Sequence, residues 1–377
     1  MLDVFFEIIQ VSVGNRSQLS AAPSAEEWMW LRKMADKQSL TAIVLHGIEK
    51  LPTEQRPPKK LLLDWIGHSM IIRERNRQVT EVSGKLVQKF NQDGFNVCVL
   101  KGQANHSYYG EELGQLRGCG DVDIWAVTKE GRCKREDVRQ VIAYSYKSFQ
   151  VESLCWLHVE LKPIDSVPVE VHLRPSFFNS PIRNRKFLNL FNFCDCTVSK
   201  EINGITLPVL KIEYDIIFQM NHLFRHLLDE GVGLRQVMDY YYLLRKVHDE
   251  GLMVHGHIKN INKTLKNLGM EKFARALMWV LQEVFAMPEG WMICGPSEKE
   301  GRFLLDEIIQ AGNFGRFDAR MKTLVVKKGH LFYQIQRASR RIRRNMRFLS
   351  SYPEEVIWEP VARFYHWMWK LGNRSVM

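Results

Sequence analysis

An α+β fold, with a small mixed sheet set between helical regions, is predicted for this 377-residue chain by three observations. Apolar residues recur at helical spacing up to about residue 92. Between about 93 and 210 the pattern changes to short β-rich runs bounded by glycine, among them Phe95-Asn-Val-Cys-Val-Leu100. From about Tyr214 the helical period returns and persists to the end. The expected organisation is therefore an N-terminal helical region (1–92), a sheet-containing core (93–210) and a C-terminal helical domain (211–377).

In chain order, Ser24 is an N-cap candidate for a helix over 26–34. A second helix fits 40–51, ending near Pro52, and Thr-Glu-Gln-Arg-Pro-Pro-Lys-Lys at 53–60 reads as a linker. A long amphipathic helix follows over 61–92 and stops at Asp93-Gly94. A buried strand over 95–100 opens directly into a helix over 102–109. A strand over 122–127, a helix over 135–148, and strands over 154–161 and 167–173 separated by a turn at 162–166 complete the core. Helices near 214–229, 235–249, 271–287, 299–311 and 330–349 are the clearest beyond it.

At 45% hydrophobic and 25% charged residues the chain can bury a large core, which excludes disorder as its main state. No uncharged apolar run approaches the ~18–20 residues of a membrane helix. The opening Met-Leu-Asp-Val-Phe-Phe-Glu carries acids and no basic stretch, unlike a secretory signal. Seven cysteines without a CxxC spacing read as reduced thiols, so a cytoplasmic protein is expected. The net charge of +11 is concentrated: residues 316–347 hold eleven Lys/Arg against one acid, Asp318. Such a segment is either a helix face paired with acids elsewhere or a contact for RNA or another polyanion.

The chemistry-bearing residues lie in the core. In Gly-Cys-Gly-Asp121-Val-Asp123-Ile, strand alternation sets Asp121 and Asp123 on one face. Two such carboxylates repel unless a cation lies between them. Hard divalent ions, Mg²⁺ or Mn²⁺, are held by carboxylates together with substrate phosphates. The strand Pro-Val-Glu170-Val-His172-Leu supplies a third carboxylate, Glu170, if the two strands are neighbours, and that cluster suits metal-assisted phosphoryl chemistry. His172 shares the Glu170 face, placed either to touch a nucleotide or to cap the site. Lys101-Gly102 ends a strand and opens a helix, where backbone N–H groups and the helix dipole favour a phosphate. Arg117, four residues before Asp121, is near enough to reach the same triphosphate.

The stretches VLKGQANHSYYG, LRGCGDVDIWAV and VPVEVHL resemble the DNA polymerase β-like nucleotidyltransferase superfamily. They look more closely like the bacterial uncharacterised nucleotidyltransferase family, whose LKG segment, R-x-x-x-D-x-D and acid–His strand match Lys101-Gly102, Arg117 to Asp123 and Glu170 to His172. The family's following helix with two histidines and a later aspartate matches His222, His226 and Asp239. Gln103 stands where the superfamily has a small polar residue, and eighteen residues separate Gly102 from Asp121. The resemblance implies a Mg²⁺-dependent (or Mn²⁺-dependent) nucleotidyltransferase with Asp121, Asp123 and Glu170 as metal ligands and catalytic groups. Lys101, Gly102, Arg117, His172, His222 and His226 would contact the nucleotide. An NTP would donate its NMP to a hydroxyl on RNA (a tRNA end among the candidates), a small molecule or a protein. The alternative is an inactive nucleotide- or RNA-binding module of the same fold.

Asp215, Gln219, His222, His226 and Asp229 recur at helical spacing, and this stripe is either a solvated face or a wall of the nucleotide cleft. His-Leu-Phe-Arg-His lacks the glutamate of a zinc-protease helix. Arg235 and Asp239, four apart, are expected to pair within their helix.

Overall fold

The computed structural model describes residues 1–130, 135–321 and 330–373; Cys133, Lys322, Lys327 and Lys328 lie outside the described residues. Helices α1 (Leu2–Val13), α2 (Ala25–Lys37), α3 (Thr41–Lys50) and α4 (Lys59–Gln92) precede the first strand. Ser24 starts α2 by a reciprocal cap. Its Oγ accepts from the Glu27 backbone N–H at 3.3 Å, and the Glu27 carboxylate accepts from the Ser24 N–H at 2.8 Å. Ser24→Ala is expected to lower stability by about 1 kcal/mol, read as a lower urea midpoint. An unchanged midpoint would show that the cap is idle.

The α/β portion runs β1 (Phe95–Leu100), α5 (Gly102–Tyr109), α6 (Glu111–Leu116), β2 (Val122–Thr128), α7 (Arg135–Ser148), β3 (Val151–Leu154), β4 (His158–Ile164), β5 (Val167–His172), α8 (Pro181–Leu188), α9 (Phe193–Cys196), β6 (Thr197–Ile202) and β7 (Ile205–Leu210). Its seven strands form one mixed sheet in the order β3-β4-β5-β2-β1-β7-β6, with β2–β5 and β1–β7 parallel and the other neighbours antiparallel. Alternation divides β1 and β2 between two cores. Val97, Val99, Val122, Ile124, Val169 and Val171 pack with Val79, Leu86 and Phe90 of α4 and with Val141 of α7. Cys98, Leu100, Trp125 and Val127 point the other way, into the larger helical core.

Two details of the sheet differ from the sequence expectation. The strand expected over 154–161 is two strands, because the chain turns at Cys155–Leu157 and Cys155 N donates to the His158 carbonyl at 2.9 Å. The hairpin β6–β7 enlarges the sheet; its turn, Asn203-Gly204, has φ of 51° and 75°, the left-handed pair that a two-residue hairpin requires.

The remaining helices are α10 (Ile212–Asp229), α11 (Leu234–Asp249), α12 (His255–Asn267), α13 (Glu271–Phe285), α14 (Glu298–Ala311), α15 (His330–Phe348) and α16 (Pro353–Gly372). The first and last helical stretches share one core: Phe5, Ile9, Tyr241, Leu277 and Phe285 belong to the same buried cluster. Asn15 just after α1 donates to Tyr241 Oη at 2.8 Å and to the Phe285 carbonyl at 2.6 Å.

Much of the basic segment is bound inward. Arg344, 4% exposed, donates to the carbonyls of Leu227, Leu228 and Glu230 at 2.6, 2.7 and 3.0 Å, satisfying the C-terminal end of α10. Arg320 pairs with Asp318 and Glu307, Arg347 with Glu307 and Arg341 with Glu359. Arg316 and Arg343 are exposed. The six described cysteines are free thiols. Among the described residues no helix is long and apolar enough to cross a membrane.

Candidate active site

The parallel pairing of β2 with β5 sets Asp123 directly beside Glu170, and the antiparallel pairing of β4 with β5 sets His158 beside His172. All four side chains share the face opposite Val169 and Val171, because strand neighbours two apart point the same way. The result is a continuous polar chain. Lys101 Nζ lies 3.0 Å from Asp123 Oδ1, and His172 Nε2 lies 2.9 Å from the same oxygen. That imidazole nitrogen is also 3.3 Å from Glu170 Oε2, which is 3.1 Å from His158 Nδ1. Asp123 and Glu170 thus meet at one imidazole. Asp121, just before β2, borders the same cleft and accepts no hydrogen bond from the described residues.

This cleft, about 510 Å³, also takes in Gly102, Arg117, His222 and His226, so all nine residues expected to contact the metal or the nucleotide line it. Lys101 holds φ 51° and ψ −152°, an uncommon backbone for a non-glycine residue, where β1 turns abruptly into α5. Gly102 follows at φ 39°.

Electrostatics separates the three acids. Burial raises Asp121, and the Asp123 charge raises it further. Burial also opposes ionisation of Asp123, but Lys101 and His172 outweigh it and hold that carboxyl well below the ordinary range. Glu170 is lowered, with burial overcome by the hydrogen bond from His172. His172 is raised because its bonds to Asp123 and Glu170 outweigh its burial. Among the described residues, the group whose ligand atoms all lie within 4.8 Å of one another is His158, Glu170 and His172, and Asp121 and Asp123 fall outside it. Asp121 accepts no hydrogen bond from the described residues, and a divalent cation between it and the neighbouring carboxylates would relieve the repulsion that adds to its burial.

The loop from Arg117 to Asp121 is held from several sides. Asn76 on α4, 2% exposed, donates to the Gln115 and Arg117 carbonyls at 2.7 and 3.0 Å and accepts from Cys119 N–H at 2.8 Å. Arg235 donates to the Gly118 carbonyl. Arg117 itself does not extend a free guanidinium towards a phosphate. Its Nε and Nη2 bond the two oxygens of Asp239, and its Nη1 reaches the Gly118 carbonyl at 3.1 Å. Asp239 also accepts from Tyr109 Oη at 2.7 Å. The expected Arg235–Asp239 pair is therefore replaced by Arg117–Asp239, since α11 turns Asp239 towards α5 and the loop.

The polar stripe of α10 is not a solvated face. Asp215 and Gln219 are 4% and 3% exposed, while Gln219, His222, His226 and Asp229 line the cleft. His222 and His226 pack at 4.2 Å between ring centroids, and burial, then the Lys101 charge, push His222 well below its ordinary value. Asp215 accepts from Tyr108 Oη at 2.8 Å and Gln219 Nε2 at 2.7 Å, yet burial pushes it up to about 6. Its folded value lies above the ordinary 3.8, so the folded state holds the proton more tightly and stability falls as pH rises from about 4 to 6. Asn at this position keeps an acceptor and does not titrate. Asp215→Asn should therefore gain about 3 kcal/mol relative to the natural protein between pH 4 and pH 7. Urea denaturation at the two pH values checks this; a difference that does not change with pH would sink it.

His158 and Asn76 were not singled out from the sequence. Asn76 had a signal, a polar residue on the inner stripe of α4 one turn before Val79 and Thr80. His158 had one only if its strand was placed beside β5.

The chain matches the family described as an uncharacterised nucleotidyltransferase over residues 24–286, a span that contains every residue of this cleft up to Asp239. Among solved structures it is similar to an antigenic nucleotidyltransferase-like protein from Paracoccidioides brasiliensis, at 13% identity and a TM-score of 0.34, over 59% of this chain and 96% of that one. No curated protein matches it. With more than half of its length matched, and with the motif residues in one cleft, the chain belongs to the uncharacterised nucleotidyltransferase family.

Proposed function

We propose that the cleft transfers a nucleoside monophosphate from an NTP to an acceptor hydroxyl in the presence of Mg²⁺ or Mn²⁺. The acceptor oxygen bonds to the α-phosphorus, the bond from that phosphorus to the bridging oxygen breaks, and pyrophosphate leaves. Asp121 and Asp123 would hold the cation, which when bound neutralises developing phosphoryl charge. Glu170 would join them or act as general base toward the acceptor hydroxyl. Lys101 and the backbone at Gly102 hold the triphosphate by charge and by N–H groups at the start of α5. Arg117 contributes positive charge while bracing the loop that carries Asp121. His172 orients Asp123 and Glu170, and His222 and His226 close the nucleotide side of the cleft. The observation that carries this reading is the register of Asp123 with Glu170 on parallel neighbours, beside Asp121, which accepts no hydrogen bond from the described residues.

A second reading, a nucleotide-binding module without turnover, is favoured by one observation: Lys101 and His172 already neutralise Asp123 from within the chain. Incubating the protein with each of four NTPs, Mg²⁺ or Mn²⁺ and pooled RNA or cell extract separates the two. Both readings expect the NTP and cation to raise the melting temperature; only transfer releases pyrophosphate and leaves label on an acceptor.

A further inference from the structure

Beside the catalytic cleft lies a second cavity of about 920 Å³, formed between α16 and the segments around β4, β5 and α8. The two share a wall. Leu157, His158, Ser176 and Phe177 face the cleft, Trp156, Arg174 and Phe178 face the second cavity, and Pro175 borders both. The lining of this cavity is unusual in two respects. Among the described residues it includes Arg135, Arg174, Arg185 and His366 but no carboxylate, and it is rich in rings, with Trp156, Trp358, Tyr365 and Trp369 among them. The rings form a stacked series: His366 lies parallel to Trp156 at 4.5 Å, and the Arg174 guanidinium sits 3.7 Å over Trp156 and 5.5 Å from Trp369. Trp156 is 5% exposed, and its indole N–H has no partner among the described residues. Tyr365, by contrast, is 56% exposed, and Arg135 and Arg185 are exposed at the rim.

We propose that this cavity receives the acceptor, and that the acceptor is the end of a single-stranded RNA; the inference rests on the transfer reading above for its purpose. Unstacked bases are recognised by aromatic and guanidinium planes, and the backbone by arginines. This cavity supplies both. Its volume is at the upper end of the roughly 300–1,000 Å³ found for ligand pockets, large for one small hydroxylated molecule. Bases would continue the ring series at Trp369 and Tyr365, with phosphates beside Arg135 and Arg185. The terminal hydroxyl would then reach the cleft past Pro175. The α16 wall lies beyond the residues matched to the family, so this part of the pocket is not accounted for by that match.

The test is fluorescence anisotropy with the full chain and a 5′-labelled six-nucleotide oligoribonucleotide, without NTP. Binding should weaken steeply with salt. Trp369→Ala and Arg185→Ala should each weaken it at least about tenfold, as expected for loss of a stacking plane or a phosphate contact. Both variants should melt within a few degrees of the natural protein; Arg185, being exposed, keeps the test informative if Trp369→Ala disturbs α16. Absence of binding, undiminished binding by both variants, or displacement of the oligonucleotide by millimolar ribose 5-phosphate would overturn the proposal. The titration reads no turnover. A protein that binds the oligonucleotide but releases no pyrophosphate would therefore sink the transfer reading alone, and the reverse result would sink this one alone.

Discussion

Replacing Asp121 and Asp123 together by alanine is expected to reduce NTP-dependent pyrophosphate release at least about a thousandfold. A bound cation contributes several kcal/mol to phosphoryl transfer, and about 1.4 kcal/mol is worth a factor of ten in rate. Single variants make the expectation sharper. Asp121 accepts no hydrogen bond from the described residues and is raised by burial and by the Asp123 charge, so Asp121→Asn relieves repulsion in the metal-free protein. It should hold or raise the melting temperature without ligand, yet remove most of the further rise that NTP and Mg²⁺ produce. Asp123→Asn behaves differently, because Asp123 neutralises Lys101 and accepts from His172. That variant should lose both activity and stability. Pyrophosphate release that survives in the double variant refutes the metal-site assignment. A lower melting temperature for Asp121→Asn without ligand refutes the electrostatic account of it.

The second large effect is on stability. Arg117 and Asp239 are 4% and 3% exposed and bonded through two donor–acceptor pairs. Removing one partner of a buried ion pair strands the other charge and typically costs about 3–5 kcal/mol. Asp239→Ala should therefore unfold at a much lower urea concentration, and Arg117→Ala should be comparably weak. Removing both partners with apolar residues of similar size, Arg117→Met with Asp239→Leu, should recover a large part of the loss, since no charge is then left alone. If Arg117 served only as a phosphate ligand, its removal would weaken NTP binding with little change in stability. Equal urea midpoints for the single variants and the natural protein would establish that outcome.

Local pattern carried most of the α/β order. Phe95–Leu100, Gly102–Tyr109 and Arg135–Ser148 coincide with the expected elements because glycine and turn residues punctuate them. The β6–β7 hairpin was equally legible in principle, since Asn203-Gly204 between two β-rich runs is a strong hairpin signal. Helices α6, α8 and α9 were not foreseen, and α12 and α16 lie in the stretch read as helical without being placed individually. For the basic segment, composition left open a helix face paired with acids or a polyanion contact; Arg344 is used inside the molecule to terminate α10 and Arg320, Arg341 and Arg347 pair with acids, while Arg316 and Arg343 are exposed.

Residue order alone determined that Asp121 and Asp123 share a strand face, that Glu170 and His172 share another, and that Lys101-Gly102 sits at a strand-to-helix corner; each follows from the two-residue period or from glycine's backbone freedom. Only the tertiary structure decided what these faces meet. The parallel register aligned Glu170 with Asp123, and a shift in the β4–β5 ladder between Leu161 and Ile164 set His158 opposite His172, where an unbroken two-residue hairpin would have placed Val159. Likewise, only the packing of α11 on α5 gave Asp239 to Arg117. Strand registers and helix docking are set by contacts between residues far apart in the chain, and a local period carries no information about them.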